Sequence, residues 1–256
     1  MNLTDEILFD TDDGIAVITI DRPAQRNAID RGVTDGLRQA FERFDADASL
    51  RVAILTGSGD KAFCAGMDLK EAAADKLRVP PRGKFPVLGD TIHIGKPVIA
   101  AVNGIAYAGG FLLAQMCDLC IASDNAVFGI TEAKVGRGMP WAAPLIHMLP
   151  QRVMMELLLT GQPITAQRAY ELGYVNAVVP LAGLRARAME MAKTIAANAP
   201  LTVKAARELV YLSTEMGRSA GLRAAHHLFE SVYLSEDAQE GPRAFAEKRP
   251  PRWTGQ

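Results

Sequence analysis

The sequence predicts a mixed α/β fold with a helical C-terminal part, and three observations carry that prediction. Short apolar runs near residues 15–20, 52–56, 97–102 and 118–122 read as buried strands. Helical patterns separate them, as crossover connections between parallel strands do. After about residue 139 strand signals become rare and helix signals dominate.

In chain order, IAVITI (Ile15–Ile20) is a β-rich run ended by Asp21-Arg22-Pro23. Val33, Leu37, Ala40, Phe41 and Phe44 fall at helical spacing and predict a helix over 33–45. VAILT (Val52–Thr56) is the next buried strand, closed by Gly57-Ser58-Gly59. A small-residue turn, Ala65-Gly66, then leads into a helical signal. Residues 78–90, rich in Pro and Gly, read as a loop. PVIAAV (97–102) is a strand that runs through Gly104 toward Gly109-Gly110, where an apolar helix opens at Phe111. DLCIA (118–122) is a further strand, with a short piece at Ala126–Gly129. Helices are expected at 142–149, 152–159, 166–172, 181–198, 203–214 and 219–234, with a strand at Tyr174–Val179. Thr165 suits the N-cap of the third of these and Gly173 its stop. The expected division is an α/β core over 1–195 and a helical region over 196–256.

Composition limits the function. The 256 residues, 49% of them hydrophobic, suit one large domain with a helical extension. With 28 basic and 29 acidic residues the net charge is −1, which gives no support for a nucleic-acid or acidic-membrane partner. The acidic start, MNLTDEILFDTDDG, lacks the basic and apolar regions of a signal peptide. Apolar runs stay below the ~20 residues a membrane span needs, so a cytoplasmic location is expected. Cys117 and Cys120 form a C-x-x-C, which could be a redox pair, half a metal site or simple packing. No second pair and no nearby histidine accompany it, so packing is expected. Metal-ligand clusters and the dinucleotide-binding glycine fingerprint are absent, so neither a metal nor a redox cofactor is expected.

The chemistry points to two places where a buried strand meets a small-residue turn and then a helix: Ala65-Gly66-Met67 and Ala108-Gly109-Gly110. Backbone N–H groups in such turns lack partners and point outward. Two that converge can stabilise an oxyanion. Packing alone explains many such turns. Four segments add weight: KAFCAGMDLKE (61–71), KPVIAAVNGIAYAGGF (96–111), FGITEAKVG (128–136) and EDAQEGPRAFAEKR (236–249). Together, in this order and spacing, they resemble the enoyl-CoA hydratase/isomerase (crotonase) family over nearly the whole chain.

The resemblance implies a spiral of ββα units with a helical C-terminal trimerisation region, assembled as a homotrimer or a dimer of trimers. The substrate would be an acyl-CoA thioester. The backbone N–H groups of Met67 and Gly109 would form the oxyanion hole. Arg26 and Ala28, with Ala65, Asp68, Leu69 and Lys70, would contact CoA. Phe245 and Lys248 would close over it, often from a neighbouring subunit. Asp68 also suits a helix start.

Family hydratases carry two glutamates. The first position is Leu112 here; the second is Glu132. One carboxylate suffices to shift a double bond from C3 to C2, because one group can remove the C2 proton and return it at C4. An isomerase with Glu132 as sole acid/base is therefore expected, with a pKa raised by the apolar acyl pocket. The alternatives are a hydratase or carnitinyl-CoA dehydratase-like lyase, and a non-catalytic CoA-ester-binding relative. RNA binding, known in an occasional family member, finds no Lys/Arg stripe. Tyr107 could reach substrate or serve packing, and His93 could approach only if its loop closed. RGMPWAAP (137–144) departs from the common G-x-x-P-G-x-G-G pattern, with Trp141 and Pro144 where small residues stand, which would reshape the pocket.

Overall fold

The computed structural model describes residues 2–74 and 79–256. It opens with a hairpin, β1 (Ile7–Asp12) against β2 (Ile15–Ile20), turned by Asp13 and Gly14 with φ of 47° and 76°. Two positive φ angles in a two-residue loop match the twist of the flanking strands. α1 (Arg31–Ala46) begins where the Asp30 carboxylate accepts the Val33 N–H at 2.9 Å.

A repeating pattern follows. β3 (Val52–Gly57), β4 (Ala62–Cys64) and α2 (Leu69–Ala74) make one unit. β5 (Val98–Val102), β6 (Ile105–Tyr107) and α3 (Gly109–Gln115) make the next. β7 (Leu119–Ser123), β8 (Val127–Gly129) and a 3-10 helix, Glu132–Val135, make the third. A second 3-10 helix spans Pro140–His147. Then come α4 (Gln151–Thr160), β9 (Ile164–Thr165), α5 (Ala166–Glu171) and β10 (Ala177–Val179). The chain ends with α6 (Leu184–Ala196), α7 (Pro200–Glu215), α8 (Arg218–Tyr233) and α9 (Glu236–Ala246).

The strands sort into two sheets, ordered β1-β2-β3-β5-β7-β10 and β4-β6-β8-β9. Each unit gives one strand to each sheet, and β3-β5-β7 and β4-β6-β8 advance together. The chain thus winds as a spiral of ββα turns, the crotonase fold expected from the sequence. β3, β5 and β7 pair in parallel, as do β4, β6 and β8.

One core lies between the two sheets and under α1, with Phe41, Phe44, Phe63, Phe111 and Phe128 fully buried. Truncating one of these to Ala would cost about 3–5 kcal/mol. A second apolar cluster covers the far face of the large sheet, where α6 lays Leu184, Ala188 and Ala192 on Ile54, Ile99 and Ile121. Burial on both faces explains why β3 and β5 read as continuous apolar runs rather than alternating ones.

α7 is tied to this core by Asp118. Its carboxylate accepts from Arg207 Nε and from the Tyr211 hydroxyl, both at 2.7 Å, and from the Val98 N–H at 2.8 Å. The terminal segment folds back onto α9, where Asp237 accepts the Thr254 and Gly255 N–H groups at 2.7 and 3.0 Å. Glu240 pairs with Arg249 and Arg243 at 2.6 and 2.7 Å. Those bonds hold its carboxyl below the usual carboxylate range. α8 has no buried residue in a single chain, and Leu222, Tyr233 and Leu234 are exposed. Among the described residues no helix is long and apolar enough to cross a membrane.

Most expected elements are present, with differences that have physical causes. The helix expected at 142–149 is the 3-10 helix Pro140–His147, with Pro144 inside it. Proline has no N–H for an α-helical bond. The strand expected at Tyr174–Val179 is confined to Ala177–Val179. β1, β4, β6, β9 and α9 had no sequence expectation: the four strands are short or half polar, and the α9 pattern contains Gly241 and Pro242. The loop expected at 78–90 is irregular where described, with Leu88 buried; Arg78 lies outside the described residues.

Candidate active site

The two small-residue turns stand side by side because their strands do. Cys64 of β4 pairs with Ala106 of β6. A Cβ added to Gly110 would lie 2.0 Å from the Cys64 carbonyl oxygen, and one on Gly66 would lie 2.9 Å from the Ala108 Cβ. Only a residue without a side chain permits this approach. Gly66 also has φ of 97°. Ala108 sits at φ 52°, ψ −116°, a conformation rare outside glycine. Its N–H donates to the Gly129 carbonyl at 2.9 Å, which ties the turn to the end of β8. Such backbone strain typically costs about 1–3 kcal/mol and gathers at functional sites.

Gly109 is the first residue of α3, so its N–H has no acceptor inside the helix. Among the described residues neither the Gly109 nor the Met67 N–H has a hydrogen-bond acceptor. Both expected oxyanion donors are therefore on neighbouring turns and unpaired among the described residues.

A third turn joins them. The Ile29 N–H donates to the Gly66 carbonyl at 2.8 Å, the Asp68 N–H to the Ile29 carbonyl at 2.8 Å, and the Ala65 N–H to the Arg26 carbonyl at 3.0 Å. Arg26 and Asn27 hold left-handed φ angles of 52° and 56°. Asn27 is fully buried and locks the turn: its Nδ2 donates to the Ser58 and Ala62 carbonyls at 3.0 and 2.7 Å, and its Oδ1 accepts the Arg22 N–H at 3.0 Å. Arg26, Ala28, Ala65, Asp68, Leu69 and Lys70 are thus brought together, with Arg26, Leu69 and Lys70 exposed. A crevice beside them is lined by Arg26, Asn27, Ser58, Asp60 and Lys61.

Asp68 also starts α2. Its Oδ1 accepts the Lys70 and Glu71 N–H groups at 3.0 and 3.4 Å, and Oδ2 faces Arg22 at 3.3 Å. Partial burial pushes its carboxyl up, but those donors outweigh it and lower the pKa. Phe245 is 87% exposed at the end of α9, and Lys248 has φ of 54° in the turn beyond. Among the described residues no hydrogen bond or ion pair joins either to the 26–28 or 65–70 turns.

Glu132 opens the 3-10 helix after β8 and is 6% exposed. Burial raises its pKa, partly offset by donation from its own N–H, from the Trp141 side chain and from the Thr131 N–H. Its Oε2 is buried without a partner among the described residues. Leu112 is buried on α3, one turn past Gly109. The Tyr107 ring lies over Gly129, and Trp141 is half-buried with its ring 6.1 Å from that of Phe111. His93 is exposed. A buried acid of raised basicity thus accompanies two turns that present N–H groups, a combination suited to proton transfer beside a developing oxyanion.

Sequence reasoning missed Gln115 and Asn27. Gln115 is the polar residue in the apolar run FLLAQMC, and that break in pattern was its signal. Asn27 gave none. Cys117 and Cys120 are buried free thiols, and burial raises both pKa values, that of Cys120 to about 12. Among the described residues no three His, Cys, Asp or Glu side chains gather as a metal site.

The sequence model of the enoyl-CoA hydratase/isomerase family matches residues 10–256. Carnitinyl-CoA dehydratase from Proteus mirabilis is 41% identical over 93% of this chain and 94% of its own length. Carnitinyl-CoA dehydratase from Citrobacter koseri is 40% identical over 99% and 100%. The crystal structure of an enoyl-CoA hydratase from Mycobacterium marinum superposes with a TM-score of 0.91 at 40% identity, covering 98% of this chain and 99% of that one. One from Bacillus anthracis gives 0.90 at 33% identity, covering 98% and 100%.

Proposed function

The chain belongs to the enoyl-CoA hydratase/isomerase family, and on that premise we propose that it is an enoyl-CoA isomerase that moves a C3 double bond to C2 through a thioester enolate. A single observation carries this reading: the buried Glu132 stands alone, because Leu112 occupies the place of the family's first glutamate.

The proposed mechanism is one proton moved twice. Glu132 removes the C2 proton of a 3-enoyl-CoA. The electron pair spreads into a dienolate whose oxygen accepts from the Met67 and Gly109 N–H groups. Glu132 then returns the proton at C4, leaving the double bond between C2 and C3. Each backbone donor in such a site is worth about 3 kcal/mol. Leu112 offers water no acceptor, so hydration, which needs a held and deprotonated water, is disfavoured. Leu112, Tyr107 and Trp141 would line the acyl pocket. Arg26, Ala28, Ala65, Asp68, Leu69 and Lys70 would hold CoA, with Phe245 and Lys248 reaching it from a neighbouring subunit of a homotrimer or dimer of trimers. Glu132 and the two N–H groups supply the chemistry, with no further cofactor.

A lyase reading is favoured by one specific finding, that the curated relatives at 40–41% identity are named carnitinyl-CoA dehydratases. A paired absorbance assay separates the two. Absorbance should rise with a 3-enoyl-CoA as conjugation forms, and the Glu132→Gln variant should abolish the rise. Falling absorbance with a trans-2-enoyl-CoA, or elimination from a 3-hydroxyacyl-CoA, would support the lyase instead. Silence with all three would favour a CoA-ester-binding protein without catalysis.

A further inference from the structure

Arg22 follows β2 and stands where three short segments meet. Its Nη1 donates to the Ala28 carbonyl at 2.6 Å. Its Nη2 lies 2.9 Å from Asp30 Oδ2 and 3.3 Å from Asp68 Oδ2. Each of these carboxylates commits its other oxygen to a helix start. Asp30 Oδ1 accepts the Val33 N–H of α1 at 2.9 Å, and Asp68 Oδ1 accepts the Lys70 and Glu71 N–H groups of α2 at 3.0 and 3.4 Å. One guanidinium nitrogen thus joins the beginnings of α1 and α2, and the three side chains are only 16–17% exposed. Between Ala28 and Asp30, Ile29 pairs with Met67 in a single parallel bridge. The Ile29 N–H donates to the Gly66 carbonyl and the Asp68 N–H to the Ile29 carbonyl, both at 2.8 Å. The Ile29 side chain faces the other turn: a Cβ added to Gly109 would lie 2.7 Å from Ile29 Cδ1. Ile29 is 7% exposed. A single residue therefore touches both turns that carry the expected donors, one with its backbone and one with its side chain.

We propose that Arg22 and Ile29 are positioning residues for the oxyanion hole: Ile29 sets the gap between the Met67 and Gly109 N–H groups, and Arg22 fixes Ile29 by gripping the residues on either side of it. The inference rests on the reading of those two N–H groups as the oxyanion donors. Two donors stabilise a developing oxyanion only when both lie at hydrogen-bond distance from one point, and a misplacement of about 1 Å can cost about 10²-fold in rate. The backbone bonds fix segment 66–68 to residue 29, but the Ile29 side chain is what spans from there to Gly109. The same contacts couple the loop proposed to hold CoA, through Arg26 and Ala28, to the Met67 donor. Without the guanidinium, Asp30 Oδ2 and Asp68 Oδ2 would share no cation and the Ala28 carbonyl would lose this donor.

The test uses two mild variants and a readout of the substrate carbonyl itself. Ile29→Val removes the Cδ1 that reaches Gly109 and leaves the backbone pairing in place. Arg22→Lys keeps the charge and loses the planar fork. Carbon-13 NMR of butyryl-CoA labelled at the thioester carbonyl, a saturated ester, reports how strongly the two donors polarise it when bound. Binding to the wild type should move that signal downfield, and binding to either variant should move it by less. In steady-state kinetics with a 3-enoyl-CoA, Ile29→Val should lower kcat about tenfold with KM within twofold, short of the 10²–10³ typical of losing a whole donor. Arg22→Lys should lower kcat and also raise KM, because it loosens the CoA loop as well. A purely structural role would lower the unfolding midpoint and leave the bound carbonyl signal at its wild-type position; that result in folded variants overturns the inference. A wild-type signal that does not move on binding overturns the oxyanion reading, and the inference with it. A signal displaced in the wild type and less so in the variants, in a protein that converts no enoyl-CoA, supports the brace and overturns the isomerase reading.

Discussion

At the scale of single residues, Glu132, as the proposed acid/base, would set both rate and pH response. Burial raises its pKa, so the base is lost as pH falls through that raised value. The kcat/KM profile should climb through a midpoint above the ordinary carboxylate range and then level, and Glu132→Gln should lower turnover about 10²–10⁴-fold. The stability sign is the reverse. A carboxyl with a raised folded pKa binds its proton more tightly folded than unfolded, so its contribution diminishes as pH rises from the ordinary value through the folded one. Glu132→Gln should therefore raise the unfolding midpoint at neutral pH, by about 2–4 °C for each kcal/mol gained in a chain of this size. Calorimetry at pH 4 and pH 7 checks this: the gain should be present at the higher pH and shrink at the lower.

At the scale of elements, catalysis through the proposed oxyanion hole would depend on how closely the β4–α2 and β6–α3 turns approach. Gly66→Ala would place a Cβ 2.9 Å from the Ala108 Cβ and 3.0 Å from the Tyr107 carbonyl oxygen, at φ 97°. The turns must separate, moving the Met67 and Gly109 donors off a common oxygen. kcat/KM should fall by up to about 100-fold, the worth of one oxyanion donor, and steady-state kinetics would show kcat carrying most of the loss. Asn27 works at the same scale. Its side chain ties a left-handed turn to the Ser58 and Ala62 carbonyls and to the Arg22 N–H. Asn27→Ala should raise KM for the CoA ester and lower the unfolding midpoint by several degrees, because buried carbonyls lose their donor. Sedimented or precipitated protein at unchanged KM would count against that role.

At the scale of the whole molecule, α8 has no buried residue within one chain, while Leu222, Tyr233 and Leu234 are exposed. Phe245 at the end of α9 is more exposed still. A surface this apolar is expected to be covered by another subunit, in line with the trimer or hexamer proposed above. Sedimentation equilibrium should give three or six times the 27.5 kDa chain mass. Leu222→Arg should lower that mass and, if Phe245 and Lys248 serve a neighbour's site, raise KM for CoA esters. A monomeric wild type with full activity would sink both expectations.

The sequence by itself determined the α/β class, the principal strands and helices, and the candidates Glu132, Met67 and Gly109. The class and elements are local facts, such as an apolar run buried on both faces, whereas Glu132, Met67 and Gly109 were named through the resemblance of their segments to the family. β4 and β6 were not legible, since three-residue strands are stabilised by their partners rather than by their own pattern. Pro144 was legible as a residue, yet the 3-10 form of its helix emerged only with the fold. The tertiary structure decided what lies against what. It set Gly66 beside Ala108, locked Asn27 under the Arg26 turn, and joined the Gln115 amide to the Trp141 carbonyl across 26 positions of chain. Such contacts depend on the path of the spiral and on which backbone donors remain unpaired, and neither is written in any local stretch of residues.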